Sequence, residues 1–180
     1  TIAGTGTAGY DGDGAVATSL RINNPYGVGV DNQGNLYVAD TTNNRVRFVP
    51  RAGGTYFGQS MTASSVYTLV GGGAGGYDRD DSISTSALMD YPAGVTIDAD
   101  GNIYFSDKNN NRIRFVPKTS GSHFGQSMTA NNVYTIAGNG TGGYLADNVA
   151  ATTTRIYAPN GVTVDEDKNV YFADTNNRRI

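Results

Sequence analysis

PYGVGVDNQGNLYVADTTNNRVRFVP, residues 25–50, returns as PAGVTIDADGNIYFSDKNNNRIRFVP at 92–117, with 15 of 26 positions identical. The offset of 67 residues carries no insertion or deletion: Thr1, Thr68 and Thr135 open TIAG, TLVG and TIAG, and Pro25, Pro92 and Pro159 follow in step. A fixed period of this kind marks a repeat architecture in which each unit is one supersecondary element. The copies run 1–67, 68–134 and 135–180, the first opening in a fourth strand and the last stopping inside a third.

Within a copy the apolar residues fall in short alternating or β-branched runs broken by turn residues, and no stretch keeps a helical period. The first copy is expected to hold strands at 27–31, 36–40, 45–49 and 66–71. Four strands per unit make a propeller-like antiparallel meander. DNQGN (31–35) and DADGN (98–102) supply Asp for an Asx turn and Gly for a positive φ. The third copy reads DEDKN, where Lys168 replaces the glycine; a different turn, or Asn169 in the left-handed position, is expected there.

Composition narrows the function classes. The 180 residues are 38% hydrophobic, enough for a core, and contain no cysteine, so disulfides and thiolate metal sites are excluded. No apolar run of about 18 residues is present. A net charge of −3 lacks the clustered positive field that nucleic acid requires. Three lysines beside abundant Thr, Asn, Gly and Tyr favour an extracellular chain, secreted or on a cell surface.

Pro-x-Gly-Val, then Asp, then Gly-Asn-x-Tyr-x-x-Asp, then Asn-Asn-Arg resembles the NHL repeat, the blade of NHL β-propellers. The resemblance implies an all-β fold of four-stranded antiparallel blades, one per 67 residues, and is nearly silent on activity. It also implies that the recurring pairs Asp40 and Arg45, Asp107 and Arg112, Asp174 and Arg179 are structural ties at strand ends. Fewer than three full units cannot close a ring that needs about four to eight. An incomplete propeller or an open array is therefore expected, continued by further copies of the same repeat in this or another chain.

Other features invite chemistry. The acids of YDGDGA and YDRDDS, Asp11, Asp13, Asp78 and Asp80, are weak calcium candidates; Asp13, Asp80 and Asp147 alone recur, which suits hydrogen bonding better. The one histidine, His123, cannot build a multi-histidine metal site, and no acid–base or cofactor-binding constellation stands out, so no enzyme activity is expected. FGQSMTA appears letter for letter at 57–63 and 124–130. An extra hairpin is expected there, with Phe57, Met61, Phe124 and Met128 touching the neighbouring unit. The leading expectation is a non-enzymatic extracellular structural or adhesive module whose blades assemble side by side into a larger propeller or filament. The alternative is a propeller domain that binds a glycan or protein ligand, or the non-catalytic part of a larger secreted enzyme.

Overall fold

The computed structural model describes residues Thr1–Ile180. The first blade is a meander of β1 (Pro25–Val30), β2 (Leu36–Asp40), β3 (Arg45–Val49) and, after a two-stranded hairpin β4 (Gly54–Tyr56) and β5 (Gln59–Met61), β6 (Tyr67–Val70). A two-residue strand β7 (Ser82–Ile83) leads to the second blade: β8 (Pro92–Ile97), β9 (Ile103–Asp107), β10 (Arg112–Val116), a hairpin of β11 (Gly121–His123) and β12 (Gln126–Met128), then β13 (Asn132–Ala137). The third blade contributes β14 (Val162–Val164) paired with β15 (Val170–Phe172) and a bridge between Asp174 and Arg179. Thr1–Gly4, expected as a fourth strand, pairs with no strand; a strand exists only where a neighbour takes its backbone hydrogen bonds.

The outer edges are covered. Ser82–Ile83 adds a fifth strand beside β13, and Val16 bridges Ser65 beside the first blade. Such covering keeps the edge N–H and C=O groups from pairing with other chains. Along the Asx turns, Asp31 Oδ1 accepts from Gln33 N at 3.0 Å and Asn35 N at 2.9 Å, and Gly34 takes φ +81°. Lys168 itself adopts the left-handed position at φ +65°, so the turn is unchanged and Asn169 is not used for it. The Lys168 ammonium donates to Asp100 Oδ2 of the preceding blade at 2.5 Å, an inter-blade anchor that offsets part of the backbone strain.

The core lies between the blades. One apolar cluster joins Phe48, Met61 and Leu69 of the first blade to Val95, Ile103 and Phe105 of the second. Another joins Tyr104, Ile113, Phe115 and Met128 to Ile156, with Val162 and Phe172 of the third blade packed against it. Fully burying a side chain such as Phe48 or Phe105 stabilises by about 1.5–3 kcal/mol. Innermost strands pack closely because Gly27 and Gly94 have no side chain: a Cβ on either would collide with the backbone carbonyl of Ala93 or Asn160 respectively.

Candidate functional site

Strand register places residues 25, 40, 45 and 70 at one edge of the first blade, because Pro25 lies opposite Asp40, Asp40 opposite Arg45 and Val46 opposite Val70. The Gly-rich connections, the segment before β1 and the single 3-10 turn between β2 and β3 (Thr41–Asn43) therefore gather on one face of the molecule. Beneath that face is a charge network. Arg47, 1% exposed, donates from Nη1 to Asp40 Oδ2 at 3.3 Å and from Nη2 to Asp13 Oδ1 at 2.9 Å and the Gly12 carbonyl at 2.6 Å. Asp13 also accepts from the backbone N–H and hydroxyl of Thr68, where the β3–β6 register slips. The second blade repeats this with Arg114 between Asp107 at 3.4 Å and Asp80 at 3.5 Å.

The ties at the strand ends thus involve different partners from those expected. Asp40 and Asp107 pair with Arg47 and Arg114, two residues beyond Arg45 and Arg112. Arg45 and Arg112 instead lie 3.7 Å over the rings of Tyr10 and Tyr77 and donate to the carbonyls of Gly72 and Asn139. Arg179 stacks at 4.0 Å on Tyr144, and Asp174 accepts from the N–H of Tyr157 and from Asn177. Arg47 faces Asp40 diagonally across the strands, and burial favours the planar guanidinium fork over a looser pair at the rim.

The acids considered for calcium are engaged separately. Asp11 pairs with Arg21 at 2.5 Å, Asp13 and Asp80 with the buried arginines, and Asp78 accepts from Leu88 N. No three His, Cys, Asp or Glu side chains converge as a metal-binding group. His123 packs on Phe115 and hydrogen-bonds the Thr119 carbonyl. In the hairpins Met61 and Met128 are buried in the clusters that join consecutive blades, whereas Phe57 and Phe124 stack first on Phe48 and Phe115 of their own blade. Phe57 also borders a cleft of about 240 Å³ whose far wall is Asp98, Ala99, Gly101 and Lys118 of the second blade.

Nearer the centre of the same loop face, Tyr26 and Tyr91 meet edge to face at 6.1 Å, and the Lys108 ammonium lies 5.5 Å from both rings. Asn24 Nδ2 donates to the Tyr91 hydroxyl at 3.0 Å. Asn24 and Pro25 also line a cleft of about 480 Å³ walled by Gly4–Ala8 and Ile22. Three equivalent residues, Asn24, Tyr91 and Ala158, hold φ of +53°, +59° and +50° immediately before a proline. A non-glycine residue there costs about 1–3 kcal/mol. A clamp from the preceding blade accounts for two of them: Tyr91 N donates to Asn44 Oδ1 and Ala158 N to Asn111 Oδ1, both at 2.9 Å. Sequence reasoning missed Asn44 and Asn111. Their Asn-Asn spacing before the arginine was the available signal.

Burial pushes the Asp107 carboxyl up to about 6, opposed by the Arg114 guanidinium and by hydrogen bonds from Asp90 N and Asn110. A folded value above the unfolded one means that the group's contribution to stability is complete below about pH 4 and is lost as pH rises through 6. Carboxyl-carbon NMR should give an Asp107 midpoint near 6, and Asp107→Asn should remove that component of the stability slope. An ordinary midpoint near 4 would contradict it.

Meandering four-stranded sheets packed face to face through their inner strands define blades of a β-propeller. The family model for the NHL repeat matches residues 23–47 and 89–114, one stretch in each of the first two blades. Those two stretches are NHL repeats, and the rest of the chain lies outside the match. Among solved structures it is similar to an auxiliary nutrient binding protein from Bacteroides thetaiotaomicron, 22% identical with a TM-score of 0.59, covering 85% of this chain and 35% of that one. A second auxiliary nutrient binding protein, from Bacteroides ovatus, is 14% identical with a TM-score of 0.51, covering 89% and 48%. Protein SUPPRESSOR OF QUENCHING 1, chloroplastic, of Arabidopsis thaliana is 28% identical over 111 residues, 62% of this chain and 9% of its own length. The chain therefore spans about a third of the first structure and under a tenth of the Arabidopsis protein.

Proposed function

We propose that this chain is a non-enzymatic, extracellular part of an NHL propeller that binds a neutral glycan on its loop face. The observation that carries the reading is the 480 Å³ cleft lined by Asn24 and Pro25, where Asn24 also donates to the hydroxyl of Tyr91 in the Tyr26–Tyr91 pair. Its volume lies in the range of small-molecule sites, and aromatic faces with amide, hydroxyl and backbone donors suit a sugar's apolar face and hydroxyls. The buried acids and arginines are hydrogen-bonded to one another, which argues against an acid–base pair presented to substrate. Nutrient binding by two propellers of similar fold agrees with this reading. Side-by-side packing of blades stands; the filament or adhesive role suggested by the even repeat spacing has less support and takes second place.

The test is an NMR titration of the purified chain with a panel of neutral oligosaccharides. Tyr26 and Tyr91 ring signals should move, the saccharide should be recovered uncleaved, and Tyr91→Ala should abolish the shifts. Unmoved tyrosine signals across the panel at millimolar saccharide would remove the reading.

A further inference from the structure

The junction between the first and second blades differs from the one that follows it, at the strand ends remote from the loop face, where Val30 lies opposite Leu36. At the second junction the Lys168 ammonium reaches across the blades to Asp100 Oδ2. The residues one repeat earlier are Gly101 and Gln33, which cannot form that bridge. A cleft of about 240 Å³ stays open there. Its walls belong entirely to the two blades whose four strands are all present.

Three kinds of group line it. Tyr56 and Phe57 of the β4–β5 hairpin present half-buried aromatic surface. Lys118 lies over the facing turn, its ammonium 3.1 Å from where a Cβ on Gly101 would be. That ammonium makes neither a salt bridge nor a hydrogen bond; only the backbone N–H of Lys118 is engaged, by Asn102. The third group is a pair of carboxylates. Asp31 accepts from Gln33 N, from Asn35 N and Nδ2 and from the Tyr37 hydroxyl, and Asp98 accepts from Asp100 N, from Asn102 N and Nδ2 and from the Tyr104 hydroxyl. Each carboxylate thus has its roughly four lone-pair positions filled. The pair supplies negative charge without open ligand positions, which disfavours a divalent cation, since that needs several direct oxygen ligands. An organic ammonium responds to the same field without them, and the amide oxygens of Asn32 and Gln33 in the same wall can accept its hydrogens.

We infer that this cleft binds a free amino acid with an aromatic side chain. The ring lies against Phe57 and Tyr56, the carboxylate takes the Lys118 ammonium, and the α-ammonium sits in the field of Asp31 and Asp98. Both charges are required, because the two aspartates repel a simple anion and the lysine repels a simple cation. The volume is below the roughly 300–1,000 Å³ of drug-sized ligand sites, so a single residue fits and a glycan chain does not. The inference is independent of the glycan reading: the cleft is at the opposite end of the strands, and its reporters are Tyr56 and Phe57, not Tyr26 and Tyr91.

An NMR titration of the purified chain with L-phenylalanine, phenethylamine and hydrocinnamate tests it. Phenylalanine should shift the Tyr56 and Phe57 ring signals with a Kd of about 1 mM or tighter. Phenethylamine, without the carboxylate, and hydrocinnamate, without the ammonium, should each bind about tenfold more weakly. Lys118→Met should reduce phenylalanine binding to the level of phenethylamine, and Phe57→Asn should weaken it while the fold is kept. Gln33→Asp combined with Gly101→Lys rebuilds the bridge of the second junction, whose Lys168 holds the same turn at φ +65°, and should abolish binding. Absence of shifts at tens of millimolar phenylalanine would overturn the inference, as would equal binding of the three compounds. Shifts confined to Tyr26 and Tyr91, or a folded Gln33→Asp, Gly101→Lys variant that binds like the parent, would do so too.

Discussion

Replacing Arg114 by alanine should lower stability by about 3–5 kcal/mol, whereas Arg112→Ala, two residues away on the same strand face, should cost about 1 kcal/mol or less. Arg114 is fully buried and holds Asp107, itself 0% exposed, at 3.4 Å. Removing the guanidinium leaves a carboxylate in a low dielectric without its cation, and Asp80 loses its tie to the same site. Arg112 is partly exposed; its stacking on Tyr77 and its bonds to two carbonyls can be replaced by water. Urea denaturation of the two variants measures the contrast. A second readout separates loss of charge from loss of packing: in Arg114→Ala the Asp107 titration should move above its value of about 6, because its largest opposing influence is gone. Arg114→Met combined with Asp107→Asn should recover a large part of the loss, since an apolar and amide pair leaves no buried charge. Equal costs at 112 and 114 would overturn the assignment of the network.

That contrast also shows where the sequence was legible and where it was not. The blades were visible because strand periodicity, Asx turns and the Asn-Asn-Arg junction recur without length change. Recurrence pointed to Arg45 and Arg112 because that position is present three times. Arg47 and Arg114 occur twice within residues 1–180. The choice between two arginines two residues apart depends on which one burial traps against Asp40. Spacing on a single strand cannot express a diagonal contact to the neighbouring strand. The Lys168 turn was obscure for a related reason. Its left-handed backbone is held partly by a salt bridge to Asp100, 68 residues earlier, and no local turn rule contains that partner. Tyr26 and Tyr91 are likewise 65 residues apart and meet only because the blades stack.

The identical heptads lead to the other large effect: Met61→Ala or Met128→Ala should cost about 2–5 kcal/mol, while Phe57→Asn should change stability by about 1 kcal/mol or less. Met61 and Met128 are 3% and 2% exposed, and each belongs to a cluster that binds one blade to the next. Truncation opens a cavity between two sheets that cannot easily collapse, because inner-strand glycines already hold the blades in backbone contact. Phe57 and Gly58 are the two turn residues between β4 and β5, at φ +50° and +77°. Positive φ at both positions is the mirror-image turn that matches strand twist, and asparagine accepts the first position far better than phenylalanine. Phe57→Asn thus exchanges contact with Phe48 for relief of backbone strain, two terms of similar size. Chemical denaturation of the three variants should therefore rank the methionines well above the phenylalanine. The order follows from what each residue meets: Gly58 supplies the turn, Met61 the joint between blades, and Phe57 a lid over its own blade. If Phe57→Asn proved as damaging as Met61→Ala, the loop would be held by the phenylalanine's outward contact across the 240 Å³ cleft to the second blade, and not by the buried methionine.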